Sequence, residues 1–480
     1  MSLRFALLVS SCLALSSTTV LADDLREALI NAYNTNPSLQ AARANQRAVD
    51  EGVPIARAAG LPSLSGTASY TEQLQKSSAS GQDRLFTAGA NLSVPVYSGG
   101  AVKNALRSAE TRVKAGRADL RGTESGIFSG VVAAYLDVIK DEAIVGLRRK
   151  SVAVLEVNLQ STRDRYEIGD LTRTDVAQSQ SRYATARSAL RSAEATLSAS
   201  RERYIQFVGK EPGALQAPPP LPGMPAGAND AEDVALENNP DLLAARERTK
   251  AAGFDANAAG AGRLPRISVF TSIDHTDFLN TLGGGLVPPG TLDQRLTSAS
   301  AGVRATIPIF SGGLPAAQQR QARARESATM EQEIAVERDV IASVRSAYSQ
   351  WQAANQVIES NQTAVDAAAL SLEGVRAENT VGNRTILDIL NAEQELLNAQ
   401  VSLVTAQRNA YVAGFNLLSA MGKAEARDLG LEGGAFYDPE TNYRRVHGKL
   451  LDWDLDPAPK AQSTRTVDTK VQNGSISTDK

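Results

Sequence analysis

Two kinds of periodicity share this chain. Near the start of each half, apolar and polar residues alternate. In "LSGTASY", Leu64, Gly66, Ala68 and Tyr70 fall on one face and Ser65, Thr67 and Ser69 on the other. In "ANLSVPVY", Leu92, Val94 and Val96 oppose Asn91 and Ser93. Far downstream, Val303, Ala305, Ile307 and Ile309 oppose Arg304 and Thr306. A period of two predicts β-strands with one apolar and one polar face, here within about 63–97 and about 265–310. Such a face pair suits a barrel wall between lipid and water, although a half-buried soluble hairpin has the same period. Two isolated hairpins would leave four open edges and little core, which favours closure with other chains. Tyr97 and Phe310 end the two strand regions, where an interfacial aromatic belt would place them.

Elsewhere the period is seven. No Pro occurs between Ala101 and Tyr166, which predicts one helix of about 100 Å at 1.5 Å per residue. Val131, Val138, Val145, Val152, Leu159 and Tyr166 stand seven apart, as do Val344, Trp351, Ile358, Val365, Leu372 and Asn379. Return helices carry Val176, Tyr183, Leu190, Leu197 and Tyr204, and then Ile389, Leu396, Leu403, Ala410 and Leu417. A seven-residue repeat predicts left-handed supercoiling against a neighbour. Ala186, Ala193, Ala399 and Ala406 allow close approach. The stripes are narrow, so these helices read as a wall wet on both sides rather than the shell of one thick core.

The halves are two copies of one plan. "NPSLQAAR" at Asn36 and "NPDLLAAR" at Asn239 stand 203 residues apart, and so do Pro62 and Pro265. "VPVYSGG" and "IPIFSGG" place Ser98 and Ser311 213 apart. The ten extra residues fit the Gly/Pro-rich "NTLGGGLVPPGTLD", a hairpin loop. The larger offset then holds through Ala134-Tyr135 and Ala347-Tyr348 to Gly209-Lys210 and Gly422-Lys423. Each copy reads as short helix, two strands, long helix, helix. In the Ser-Gly-Gly steps the serine is expected to cap the long helix, with the glycines allowing the sharp change of direction. Copy one spans 23–210 and copy two 231–423. The Pro-rich 211–230 is a crossover that cannot be helix. In 424–480, the stretch "PKAQSTRTVDTKVQNGSISTDK" has the composition of a disordered tail.

The densest polar pattern lies where each long helix turns back, in "RYEIGDLTRTDVAQSQ" and "AENTVGNRTILDILNAEQ". Gly169 and Gly382 suit the turns. Thr172 and Thr385 are placed to cap the returning helices, with Asp175 and Asp388 three residues on in capping-box style. An Asp there also favours the helix dipole.

Composition narrows the function. Aromatics are 5% and His numbers two, which leaves few acid–base groups. His275 and His447 have no metal-spaced partners, and no Walker loop, nucleophile elbow or zinc motif occurs. No catalytic residue, metal or cofactor is expected. The net charge of −3 gives no basic patch, so no nucleic-acid partner is expected. Residues 1–22 read as a secretory signal, with Arg4, an apolar run and Val20-Leu21-Ala22 as cleavage site. The single Cys, Cys12, would leave with it, and a lipid anchor on Cys12 is the competing reading. No later run reaches the roughly 18 apolar residues of a membrane helix. A membrane crossing would therefore use closed strands.

Taken as a set, "NP.L..A", "LP.L" before each strand pair, "P.Y.GG" or "P.F.GG" before each long helix, and "VG.RTI.D.L.A" at the second tip resemble the TolC family of outer-membrane efflux ducts. The resemblance covers about Asp23 to Gly422, in both copies. It implies a mixed α and β fold with an internal two-fold repeat. In it a homotrimer closes a twelve-stranded outer-membrane β-barrel, four strands per chain, continued by a long periplasmic α-helical coiled-coil barrel. The short helices, the crossover and the segment after Gly422 would form an equatorial belt. The implied partners are outer-membrane lipid, a periplasmic adaptor (membrane fusion protein) and an inner-membrane transporter of RND, ABC or MFS type. The implied role is passive export of drugs, small molecules or proteins, in efflux or type I secretion.

The resemblance also assigns roles at the tips. Asp388 matches the first acidic position of the pore constriction, and Asn391 the second, where the family type has Asp. Arg384 matches the arginine that latches the closed tip to a neighbouring helix, and Thr174 and Asp175 match its partners. Asn379 stands where the family type has a Tyr that joins the latch. Gly169 and Gly382 match positions where adaptor hairpins dock. A trimeric coiled-coil stalk or adhesin without transport is the alternative; it accounts for the heptads but not for the strand pairs or the Asp-bearing tips.

Overall fold

The computed structural model describes residues 24–75, 83–283, 288, 291–431 and 436–476. The expected signal segment with Cys12, and the central part of the Gly/Pro-rich loop, lie outside the described residues.

Copy one contains α1 (Leu25–Thr35), α2 (Pro37–Asp50), α3 (Gly52–Ala58), β1 (Ser63–Glu72), β2 (Arg84–Tyr97), α4 (Ala101–Glu167) and α5 (Arg173–Val208). Copy two contains α6 (Ala228–Asn238), α7 (Pro240–Gly260), β3 (Arg266–Asp277), β4 (Arg295–Thr306), α8 (Leu314–Thr380) and α9 (Ile386–Ala420). A last helix, α10, spans Pro439–Val446. The single short helix expected in each copy is thus a run of short helices. The Asn-Pro motifs explain one of the breaks. Asn36 accepts from the N–H groups of Ser38 and Leu39, Asn239 accepts from those of Asp241 and Leu242, and Pro follows at the first helical position.

The expected serine caps contribute little to the start of the long helices: the Ser98 hydroxyl accepts from Val102 N–H only at 3.5 Å. Their N-cap residues are Gly100 and Gly313, at φ 85° and 81°, and neither has a side chain to cap with. Both glycines of each Ser-Gly-Gly are left-handed, Gly99 at 63° and Gly312 at 60°. Two successive left-handed residues reverse the chain from strand to helix, a geometry that costs side-chain-bearing residues dearly. Glycine, not serine, is the working residue there.

The four strands form one antiparallel sheet in the order β1-β2-β3-β4. Pairing of β2 with β3 joins the two hairpins, so two edges stay open, not four. Pairs such as Leu64↔Leu92, Tyr70↔Phe86, Ala90↔Ile273 and Val269↔Val303 put most apolar residues of the four strands on one face, although Leu85 and Leu296 lie on the other, opposite Thr71 and Thr276. Ser65↔Asn91, Asn91↔Ser272 and Ser272↔Ser300 build the other. Both faces are open: all ten residues of β1 are exposed, and on the apolar face Leu64 is 74% exposed and Val303 69%. Phe270 breaks the pattern. It sits on the polar face with the Arg304 guanidinium 4.8 Å from its ring centre. The expected strand end at Phe310 also fails. β4 stops at Thr306, which pairs with Arg266, the first residue of β3, so Ile307–Phe310 have no neighbour to bond.

α4 and α8 are 67 residues each, about 100 Å long. The heptad positions behave as expected: every one named above is buried or half-buried except Tyr166. The main core lies part-way along the helices, where α1 and the segments after α5 and α9 pack on α4, α5 and α9 around Phe128, Tyr135, Tyr204 and Phe415. A second cluster joins α6 and α7 to α8 and α9 through Leu242, Val344 and Leu417.

The expected disordered tail is instead laid along α5. Lys470 N–H donates to Glu211 at 2.7 Å, and Gln472 N–H to Glu202 at 2.9 Å. Arg201 donates to the carbonyls of Asn473 and Ser475 at 2.7 and 2.9 Å, and Ile476 packs on the main core. Long polar side chains of α5 bind the tail's backbone, so an apolar pattern in the tail is not needed to hold it.

Candidate functional site

The predicted site residues gather at the far ends of the two helical hairpins. α4 ends at Glu167, Gly169 turns the chain at φ 81°, and α5 begins after Thr172. The second tip repeats this with Gly382 at φ 83° and Thr385. Left-handed glycine C-terminal to a helix lets the chain leave it within a few residues.

Each returning helix starts with a complete capping box. Thr172 N–H donates to Asp175 at 2.9 Å, and Asp175 N–H donates to the Thr172 hydroxyl at 3.3 Å. Thr385 and Asp388 repeat those bonds at 2.9 and 3.3 Å. The threonine hydroxyls also donate to the carboxylates, at 2.7 Å for Asp175 and 2.8 Å for Asp388. Hydroxyl first and backbone N–H second, these bonds hold both carboxyls below the usual range.

Arg384 does not meet Asp175 within the chain. Its Nε donates to Glu378 at 2.6 Å, and the Asn379 amide donates to the Arg384 carbonyl at 2.7 Å. Thr174 is exposed in the first turn of α5. Asn391 faces α5, where its Oδ1 accepts from Arg182 at 2.9 Å. Two residues on, Glu393 accepts from Arg376 of α8 at 2.9 Å and from Asn158 of α4 at 3.2 Å. Reading the sequence missed Glu378, Arg182, Glu393, Arg376 and Asn158. Arg182 and Asn391 are 209 residues apart, and no periodicity marks a polar contact of that separation.

Among the described residues no group of three or more His, Cys, Asp or Glu is placed to hold a metal, and no helix is long and apolar enough to cross a membrane. A sheet with one apolar face and open edges, passing through glycine turns into hairpins about 100 Å long, defines the wall of a membrane duct. The comparisons agree. The outer membrane efflux protein family matches residues 28–210 and 233–423. Outer membrane efflux protein BepC of Brucella suis is 34% identical over 92% of this chain and 95% of its own. Outer membrane protein TolC of Vibrio cholerae is 25% identical over 88% and 96%. The crystal structure of the Campylobacter jejuni CmeC outer membrane channel superposes with a TM-score of 0.73 at 15% identity, covering 88% of this chain and 89% of that one.

The chain belongs to the outer membrane efflux protein family. It is an exit channel of the outer membrane with its helical part in the periplasm, and the family consists of transport channels. The stalk or adhesin alternative finds no support among these relatives.

Proposed function

We propose that three copies of this chain close one passive duct whose periplasmic end is gated by the helix tips. The observation that carries this reading is the emptiness of α8. It equals α4 in length, yet its buried residues are Val340, Val344, Ala368 and Leu372 alone, whereas α4 buries side chains from Ser108 to Thr162. Val357 and Leu370 lie 48% and 71% exposed on it. Sheet edges β1 and β4 are open at the same time. A ring of copies would cover both, bringing twelve strands together and setting α8 against a neighbour.

In that ring Asp388 faces the axis as the constriction, with Asn391 at the next level. Arg384 exchanges Glu378 for Thr174 and Asp175 of a neighbouring tip, steadied by Asn379. The turns at Gly169 and Gly382 receive the hairpins of a periplasmic adaptor, which couples the duct to an inner-membrane pump of RND, ABC or MFS type. Drugs, other small molecules or secreted proteins pass through it. The test is the conductance of the purified protein in planar bilayers, together with its mass in detergent. A trimer that conducts supports the duct; a monomer with full strand content, or a trimer that never conducts, removes it.

A further inference from the structure

α10 runs along α4 towards the sheet. At its start, Glu440 accepts from Arg117 at 3.0 Å, about 24 Å below the first residue of α4. Midway, Tyr443 packs with Val53, Leu106, Ala109 and Val113. At its end, the His447 carbonyl accepts from Arg57 at 3.0 Å, and Arg57 lies in α3, just before β1. Beyond α10 the chain turns back on itself. Asp454 N–H donates to the Leu451 carbonyl at 3.1 Å, which puts Asp452 and Trp453 at the tip. Lys449 pairs with Asp454 at 3.1 Å, and Asp456 returns to Arg445 at 2.6 Å. The turn therefore projects past the end of α10, on the side of the sheet. It carries Leu450, Leu451, Trp453 and Leu455, which are 61% to 91% exposed.

We propose that residues 450–455 are a membrane anchor separate from the barrel, seated in the phospholipid of the periplasmic leaflet of the outer membrane. The anchor needs the sheet in the membrane but neither the closed ring nor the gate. Large apolar side chains clustered in water mark a protein or a membrane contact. The direction of the turn selects the membrane, because α10 points it along α4 towards the bilayer rather than sideways to a neighbouring copy. Other apolar side chains are exposed at the same level, Ile55 on α3 and Val96 and Tyr97 at the end of β2. The apolar face of the sheet thus continues down to the level of the turn. Trp453 suits that depth, since its ring enters the acyl boundary while its N–H stays with the headgroups. The charges set the depth. Asp454 and Asp456 are neutralised by Lys449 and Arg445, whereas Asp452 has no ion pair among the described residues. A free carboxylate at the tip keeps the turn among the headgroups, out of the hydrocarbon core.

The test is tryptophan fluorescence of the intact protein in vesicles of phosphatidylethanolamine and phosphatidylglycerol, with and without bromine on the acyl chains. The chain has two Trp, so subtracting the spectrum of Trp453→Phe isolates Trp453 from Trp351. Bromine near the headgroup end of the chains should quench most of the Trp453 emission, and bromine near the chain ends much less. Leu451→Asp should abolish that quenching by drawing the turn into water, while the Trp351 emission stays as it was. A water-like Trp453 emission untouched by bromine overturns the anchor. An apolar-type emission without quenching overturns it too, and gives the turn to a neighbouring copy. Quenching that survives Leu451→Asp also overturns it, because Trp453 would then meet lipid without help from the turn.

Discussion

The side-chain amide of Asn239 donates to the carbonyl of Ala420 at 2.9 Å, while its oxygen caps α7. In copy one, Asn36 does the same to Phe207 at 3.1 Å while capping α2. Each Asn-Pro motif therefore ties the start of a short helix to the end of the returning long helix of its own copy. Asparagine is needed because one side chain must both accept and donate.

Asn239→Ala removes both functions, and a loss of about 2 kcal/mol is expected from a cap of about 1 kcal/mol and a hydrogen bond of similar worth. Asn239→Asp keeps the cap and loses the donor, so it should cost about half as much. Thermal unfolding in detergent, compared across the two variants, measures the difference. Equal losses would mean that the Ala420 bond contributes nothing.

A strap along α5 should slow its local opening. Ending the chain at Lys460 removes the segment that bonds Ser198, Arg201, Glu202 and Glu211. Amide hydrogen exchange in 196–208 is expected to rise while that in 401–417 stays unchanged. Equal exchange in the full and shortened proteins would make the tail a passenger.

The repeat, the strands and the heptads were legible because each repeats with a period or an offset that the chain displays. Val131 to Leu159, or Asn36 beside Asn239, carry the same message twice. The tail was not legible, since it is held through its backbone by Arg201 and Glu202 and its own side chains signal nothing. At the tips, Thr172, Asp175, Thr385 and Asp388 were readable as capping boxes because a cap is local in sequence. Arg182 with Asn391 was hidden, because long-range polar pairs leave no local pattern. The serine of Ser-Gly-Gly misled for a related reason: a good capping residue next to two glycines says nothing about which of the three starts the helix.

Arg384 has a partner in its own chain, Glu378, which first among its surroundings raises its pKa further. In the closed ring it is expected to reach Asp175 of a neighbour instead. Arg384→Ser should then raise conductance without a pump, and Asp175→Asn should do so as well, whereas Glu378→Gln should free the arginine and leave the duct shut. If Glu378→Gln opens the channel while Asp175→Asn does not, Arg384 braces its own tip and latches nothing.

In the proposed duct, Asp388 would connect tip geometry to ion selectivity. The Thr385 hydroxyl, the Thr385 N–H and the nearby Arg384 lower its pKa in the folded chain. A carboxylate lowered on folding contributes stability above its unfolded value, near 3.9, and loses it as pH falls through the folded value. The carboxylate is therefore charged at neutral pH, and three of them around a narrow axis would concentrate a negative potential there. Mutual repulsion within such a ring acts in the opposite direction on the pKa, upward. Cation preference and block by multivalent cations from the periplasmic side are expected at neutral pH, fading only as the pH falls through the carboxylate's folded value. Asp388→Ala should remove most of the block. Asn391→Asp alone should add little to it, because Arg182 at 2.9 Å would neutralise the new charge. The same change made with Arg182→Ala should add a second ring and strengthen the block. Selectivity and block that survive Asp388→Ala would reduce Asp388 to the carboxylate of a capping box and move the constriction elsewhere in the duct.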